Sequence, residues 1–172
     1  MKEIKTTTIY NDTIIKNFLR IYYFERTKNT RIFLNILITI LIIYFFINHK
    51  NNTTIDYITF IFALFGIIEI NTNMLPNLSY KRIKSKKDTP IGTKIKYTFK
   101  KNNFQINTTK EEYIDYDKLY KIINTKDTYY LYINKSKSFI VDKTNLKKEE
   151  ITMLTNIFKE KVSNYKETKD VW

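Results

Sequence analysis

Hydrophobic positions are unevenly distributed along this chain. Two apolar runs, Ile32 to Ile47 (IFLNILITILIIYFFI) and Tyr57 to Ile68 (YITFIFALFGII), sit close together in its first half. A polar loop, Asn48 to Asp56, separates them, and basic residues crowd both outer flanks. A helix of a soluble bundle shows one apolar stripe. These runs are apolar all round, with only Asn35 and Thr39 interrupting the first. The pattern predicts two membrane helices joined as a hairpin. The first run, about 16 residues, makes about 24 Å of helix, a little under the hydrocarbon core. Arg31 and Lys50 are placed to extend it by snorkelling. The second run meets Glu69, Asn71 and Asn73 and then Pro76, which is expected to end it.

Elsewhere the pattern is that of a folded polar domain. Lys2 to Tyr10 (KEIKTTTIY) reads as a short strand. Asn11, Asp12 and Thr13 offer capping groups, and Ile14, Ile15, Phe18, Leu19, Tyr22 and Tyr23 follow at helical spacing. Pro90 and Gly92 mark a break, after which the period becomes two: Ile95, Tyr97 and Phe99 alternate with Lys94, Lys96 and Thr98. Phe104 and Ile106, Glu112 to Tyr116, Leu119 to Thr125, Thr128 to Ile133 and Lys137 to Val141 give five more strands, spaced for an antiparallel meander. A last helix, about Lys147 to Val162, carries Ile151, Leu154, Phe158 and Val162 as its stripe. Its first turn is acidic and its last basic, as the helix dipole favours. Lys147 is a poor cap, so this end is expected to fray, and the tail from Ser163 is expected to be loose.

Charge adds a direction. Lys+Arg number 30 against 17 Asp+Glu, a formal net charge of +13. Lys16, Arg20, Arg26, Lys28 and Arg31 precede the first run, and Lys81, Arg82, Lys84, Lys86 and Lys87 follow the second. The positive-inside rule places both termini in the cytoplasm and the loop outside. The second basic group is the candidate contact for anionic lipid head groups. Glu69, directly after the second apolar run, is the candidate intramembrane polar site; its polar neighbours equally suit an interfacial residue.

Candidate chemistry is thin. There is no cysteine, which excludes disulfides, thiolate zinc sites and thiol nucleophiles. With two glycines, Gly66 and Gly92, no glycine-rich phosphate loop is possible. Gly66 sits where it lets two helices approach closely. His49 is the one histidine. Asp115 and Asp117 are two apart and would share one face of a strand. No catalytic residue, cofactor or metal is expected, and nucleic acid is not an expected partner: base stacking needs aromatics interleaved with basic groups.

Tyr97 to Val162 resembles the YcxB-like family of bacterial membrane proteins. The resemblance rests on YTF followed by a turn and F-x-I, on Tyr116 to Tyr120 (YDKLY), on Thr125 to Ile133 (TKDTYYLYI) and on Ser138 to Lys143 (SFIVDK). It implies a fold similar to PH-like domains, a small bent antiparallel sheet or barrel with a closing helix, and no established biochemical activity. A Ser- or Thr-like cap is usual before the last helix of the family; Lys147 departs from that.

The expected protein is therefore α+β: residues 1–30 a strand and amphipathic helix, 31–78 a transmembrane hairpin, 79–93 a basic linker, 94–163 a PH-like cytoplasmic domain and 164–172 a loose tail. It is expected in the bacterial inner membrane as a non-enzymatic, membrane-anchored module that binds a protein or lipid. An immunity or envelope-stress protein against a membrane-active toxin is the alternative, and an ion-handling assembly built on Glu69 a third reading.

Overall fold

In a computed structural model, residues 3–48, 53–72, 74–108 and 111–168 are described. The chain divides into two compact units, Met1–Phe18 with Asp88–Trp172, and Leu19–Lys87.

The first unit is β-rich. Strands β1 (Ile4–Ile9), β2 (Lys94–Phe99), β3 (Asn103–Asn107) and β4 (Glu111–Asp115) form an antiparallel sheet in that order. A second sheet has the order β7 (Ser138–Asp142), β6 (Thr128–Tyr132), β5 (Lys121–Asn124), β8 (Tyr165–Glu167). The period of two decides what each strand buries. Ile4, Thr6 and Thr8 of β1 lie opposite Phe99, Tyr97 and Ile95 of β2, and all six are buried. Strand β6 is buried at every position: Tyr129 packs on Phe158 and its neighbour Tyr130, on the opposite face, stacks on Phe18 at 5.9 Å. Side chains bridge β1 to β7: Asp142 N–H donates to Thr8 Oγ1 (2.9 Å) and Ile140 N–H to the Tyr10 hydroxyl (3.2 Å). The Tyr97 hydroxyl donates to Ile140 O at 2.9 Å. Burial pushes the phenols of Tyr10 and Tyr97 above their usual range. Gly92 has φ +91°, the left-handed region that favours glycine. Its N–H donates to Tyr10 O at 2.7 Å where the chain enters β2.

The core is aromatic and centres on Phe158, in the last helix (Lys148–Lys161). Its ring is fully buried and meets Phe99 of β2, Tyr116 of a 3-10 turn (Tyr116–Lys118) and Tyr129 of β6, edge to face, at 6.1, 5.7 and 5.2 Å. One helix side chain thus joins both sheets.

Three local expectations change. The start of the last helix is held: Glu150 accepts the Lys147 N–H at 2.8 Å, half of a capping box. A poor cap side chain is compensated from the third helical position. Glu150→Ala is expected to cost about 0.5–1 kcal/mol in a denaturant melt, with Glu149→Ala as a smaller control. The tail is not loose at its start: Tyr165–Glu167 pairs in parallel with β5. Asn124 donates to the Tyr165 hydroxyl (2.6 Å), and Lys159 pairs with Glu167 (2.8 Å). Three residues show no period, so this strand exists through its partners. Residues 169–172 lie outside the described residues. Finally, the strands make two sheets, with the second closed by a parallel pair, where a single meander was expected.

The second unit is helical. One continuous helix, α1, spans Asp12–Ile47, its first residues belonging to the β-rich unit. Asn11 Oδ1 caps it, accepting from Ile14 N–H at 2.8 Å. Nothing between Phe24 and Arg31 breaks a helix, so the amphipathic segment and the apolar run fuse. Helix α2 (Thr54–Asn71) begins with a capping pair: Thr53 N–H donates to Asp56 at 2.7 Å. It starts within the stretch expected as loop; residues 49–52 of that loop, His49 and Lys50 included, lie outside the described residues. Helix α2 is about 27 Å long, close to the thickness of a hydrocarbon core. The helices run antiparallel. Phe45 stacks on Phe60 at 4.3 Å. A Cβ on Gly66 would lie 3.3 Å from Ile38 Cδ1, tighter than an ordinary contact, so glycine eases the approach of the two helices there. Asn35 and Asn71 exchange amide hydrogen bonds at 2.9 and 3.3 Å.

Pro76 does not end α2. The helix stops at Asn71, and a third helix, α3 (Met74–Lys84), carries Pro76 in its first turn, where a missing N–H costs nothing. The Tyr23 and Ser79 hydroxyls, 2.7 Å apart, tie α3 to α1.

Candidate functional site

The basic group expected to be a linker is largely helical. Lys81, Arg82 and Lys84 occupy the last turn of α3, where cations suit the dipole. Lys86 and Lys87 follow, and all five are exposed.

Glu69 is also exposed, near the end of α2. A carboxylate there opposes the helix dipole, and no basic residue of α2 offsets it. The compensation comes from α1. Arg31 Nε donates to Ile70 O at 2.9 Å, capping a carbonyl that the helix end leaves without a partner. The same guanidinium lies over the Phe24 ring at 4.1 Å and is 3.5 Å from Asn71 Oδ1. A cavity of about 210 Å³ opens beside this cluster. Its lining is mostly apolar, including Phe24, Leu34, Ile70 and Leu75, and both Arg31 and Glu69 contribute to it. They form no ion pair with each other, and among the described residues the Glu69 carboxylate has no partner.

Reading the chain as a sequence singled out Glu69 and missed Arg31 as its neighbour. Arg31 was visible as a flank charge, and Asn35 and Asn71 as polar intruders. Which intruder meets which depends on the antiparallel register, which a hydropathy pattern does not carry.

A second cluster lies in the β-rich unit. Lys143 is buried, 7 % exposed. Its Nζ donates to Asn124 Oδ1 and Thr125 O, with Lys126 O at 3.5 Å, and lies 4.2 Å from the centre of the Tyr129 ring. Desolvation pulls its pKa down to about 8, against the opposing pull of Asp127 and Glu167. The backbone joins in: Lys143 N–H donates to Asp127 O at 2.9 Å. The lysine pins the β5–β6 turn from both ends. In the sequence it closes the SFIVDK run, but nothing there marks it as buried among the chain's 30 basic residues.

Of the other acids, two with local partners lie at the end of the first sheet. Asp115 ends β4 and pairs with Lys118 at 2.8 Å, which holds its carboxyl below the usual range. Asp117 sits in the 3-10 turn, so the two do not share a strand face as expected. Glu112 pairs with Lys137 at 3.1 Å. Among the described residues no group of three His, Cys, Asp or Glu side chains is placed to hold a metal.

The family model of YcxB-like protein matches residues 99–152. The resemblance read from the sequence therefore stands over β3 to β7 and the start of the last helix; β1 and helices α1 to α3 lie outside the match. No curated protein and no solved structure matches the chain.

Proposed function

We propose that this chain is an integral membrane protein whose helical hairpin anchors a β-rich binding module at the cytoplasmic face. The observation that carries the reading is the exposure of the two apolar helices. Both are long and apolar enough to cross a membrane, and only 6 % of each apolar window is buried. Phe33, Ile47 and Phe62 are 65, 74 and 71 % exposed. A soluble protein rarely leaves so large a continuous apolar surface uncovered, whereas in lipid such a surface is in its own solvent. The basic flanks favour an orientation with both termini inside.

The likeness to PH-like domains is supported by two mostly antiparallel sheets closed by one helix on an aromatic core. Binding is favoured over catalysis by the side chains at hand: a chain without cysteine has no thiol nucleophile, and acids such as Glu112, Asp115, Glu150 and Glu167 serve in ion pairs or caps. The basic end of α3 adds attraction to anionic lipid, roughly 1 kcal/mol per residue near the surface.

The absence of cysteine makes topology directly measurable. In intact cells Asn48→Cys is expected to react with an impermeant maleimide, and Ser85→Cys to react only after permeabilisation. The protein is expected to stay in the membrane pellet through alkaline carbonate. Release by carbonate, or labelling of Ser85→Cys alone from outside, overturns the proposal.

A further inference from the structure

We infer that the cavity between α1, α2 and α3 binds the head group of a zwitterionic aminophospholipid, its phosphate on Arg31 and its ammonium on Glu69. The inference rests on the membrane reading above. It follows from three properties of the site.

The first is charge. Arg31 and Glu69 both border one cavity, whose wall is otherwise mostly apolar, and they do not pair with each other. An anion alone would meet Glu69, and a metal cation alone would meet Arg31. A ligand with both charges satisfies both groups. Of the five N–H bonds of a guanidinium, two reach Ile70 O and Asn71 Oδ1. The others remain to hold a phosphate, which suits the planar fork of arginine. Glu69 has its full acceptor capacity, and a primary ammonium offers three donors.

The second is size. At about 210 Å³ the cavity is smaller than the ~300–1,000 Å³ typical of sites that enclose a whole drug-sized molecule. It admits a polar head and leaves acyl chains outside. The third is position. Arg31 immediately precedes the first apolar run, and Glu69 immediately follows the second. In a bilayer both stand at the level of lipid phosphates, and exposed apolar residues of α1 and α2 close to them in sequence, Phe33 and Ile68, are available to the chains.

The test uses the full chain purified in detergent, stripped of lipid and reconstituted with phosphatidylethanolamine, phosphatidylglycerol or phosphatidylcholine. Retained lipid is counted by native mass spectrometry. Measurements in 1 M salt, where the screening length is about 3 Å, suppress general attraction to the basic end of α3. The wild type is expected to retain phosphatidylethanolamine about tenfold more strongly than phosphatidylglycerol, the scale of one charge-assisted hydrogen bond. Glu69→Gln is expected to abolish that preference while keeping phosphate-dependent binding. Arg31→Gln is expected to weaken retention of all three lipids, with Arg31→Lys restoring part of it. Equal retention of phosphatidylethanolamine and phosphatidylglycerol by the wild type, or an unchanged preference in Glu69→Gln, overturns the inference and leaves the membrane reading intact. Loss of the wild-type chain from membranes in carbonate overturns that reading, and the inference with it.

Discussion

Phe158→Ala is expected to lower the stability of the β-rich unit by about 3–5 kcal/mol, the range for truncating a fully buried aromatic ring. The size follows from what the ring touches. Phe99, Tyr116 and Tyr129 come from three separate elements and both sheets, and each meets Phe158 edge to face. Their partners are already committed. The Tyr129 hydroxyl donates to Ile151 O at 3.0 Å and lies 2.7 Å from Thr155 Oγ1, and Tyr116 OH donates to Lys100 O at 2.9 Å. With those hydroxyls fixed, the neighbouring rings cannot collapse into the space that alanine leaves. A poorly relaxed cavity adds its own cost to the lost transfer energy. Phe158→Leu keeps most of the volume and should cost roughly half as much. Denaturant unfolding of the full chain in detergent, followed by the near-ultraviolet dichroism of its tyrosines, reads both variants. A loss below about 1 kcal/mol for Phe158→Ala would mean that the helix is not the element joining the sheets.

Phe158 also shows what a linear pattern conveys. Its place on an apolar stripe with Leu154 and Val162 was legible from spacing, because a helix turns by a fixed angle per residue. So were the buried faces of β2 and β3, since a strand alternates without exception when one side is covered. What the stripe packs against was not legible. The partition of strands into two sheets falls at the 3-10 turn Tyr116–Lys118, after which β5 pairs with β6 and not with β4; β8 at the edge of the second sheet is three residues whose pairing rests on Asn124 and Lys159 from elsewhere in the chain. Pro76 misled for a related reason: proline forbids a helix interior but suits a first turn, and only the break after Asn71 decides between them. The candidate site divides in the same way. Glu69 stood out because a carboxylate at the edge of an apolar run is unusual. Arg31 did not, because a cation in that place already has an explanation as a flank charge.

Lys143 yields the second large effect, and its direction is fixed by its surroundings. Three oxygens and the Tyr129 face hold the ammonium, yet burial brings its pKa down to about 8. An unfolded lysine titrates near 10.4. Between these values the unfolded chain binds more protons than the folded one, so stability rises with pH. Below pH 8 both states are charged and the contribution is flat. Buried tyrosines act with the opposite sign: Tyr10, Tyr97 and Tyr130 keep their protons in the folded state beyond the usual phenol range, so stability falls once the unfolded phenols ionise above about pH 10. The expected profile therefore climbs from pH 8, by an amount on the order of 2 kcal/mol, and turns over near pH 10. Lys143→Met removes the climb and keeps the fall. It does not inherit the gain of a neutral lysine, because an uncharged amine still donates to Asn124 and Thr125 whereas a thioether donates nothing. The orphaned acceptors should leave this variant about 1–2 kcal/mol below the wild type at pH 7, and further below it at pH 9.5. Urea midpoints of the two proteins across pH 7–11 make the comparison. A wild-type profile that is flat from 8 to 10, or a Lys143→Met variant that still climbs, would show that the lysine is paired well enough to keep its ordinary pKa.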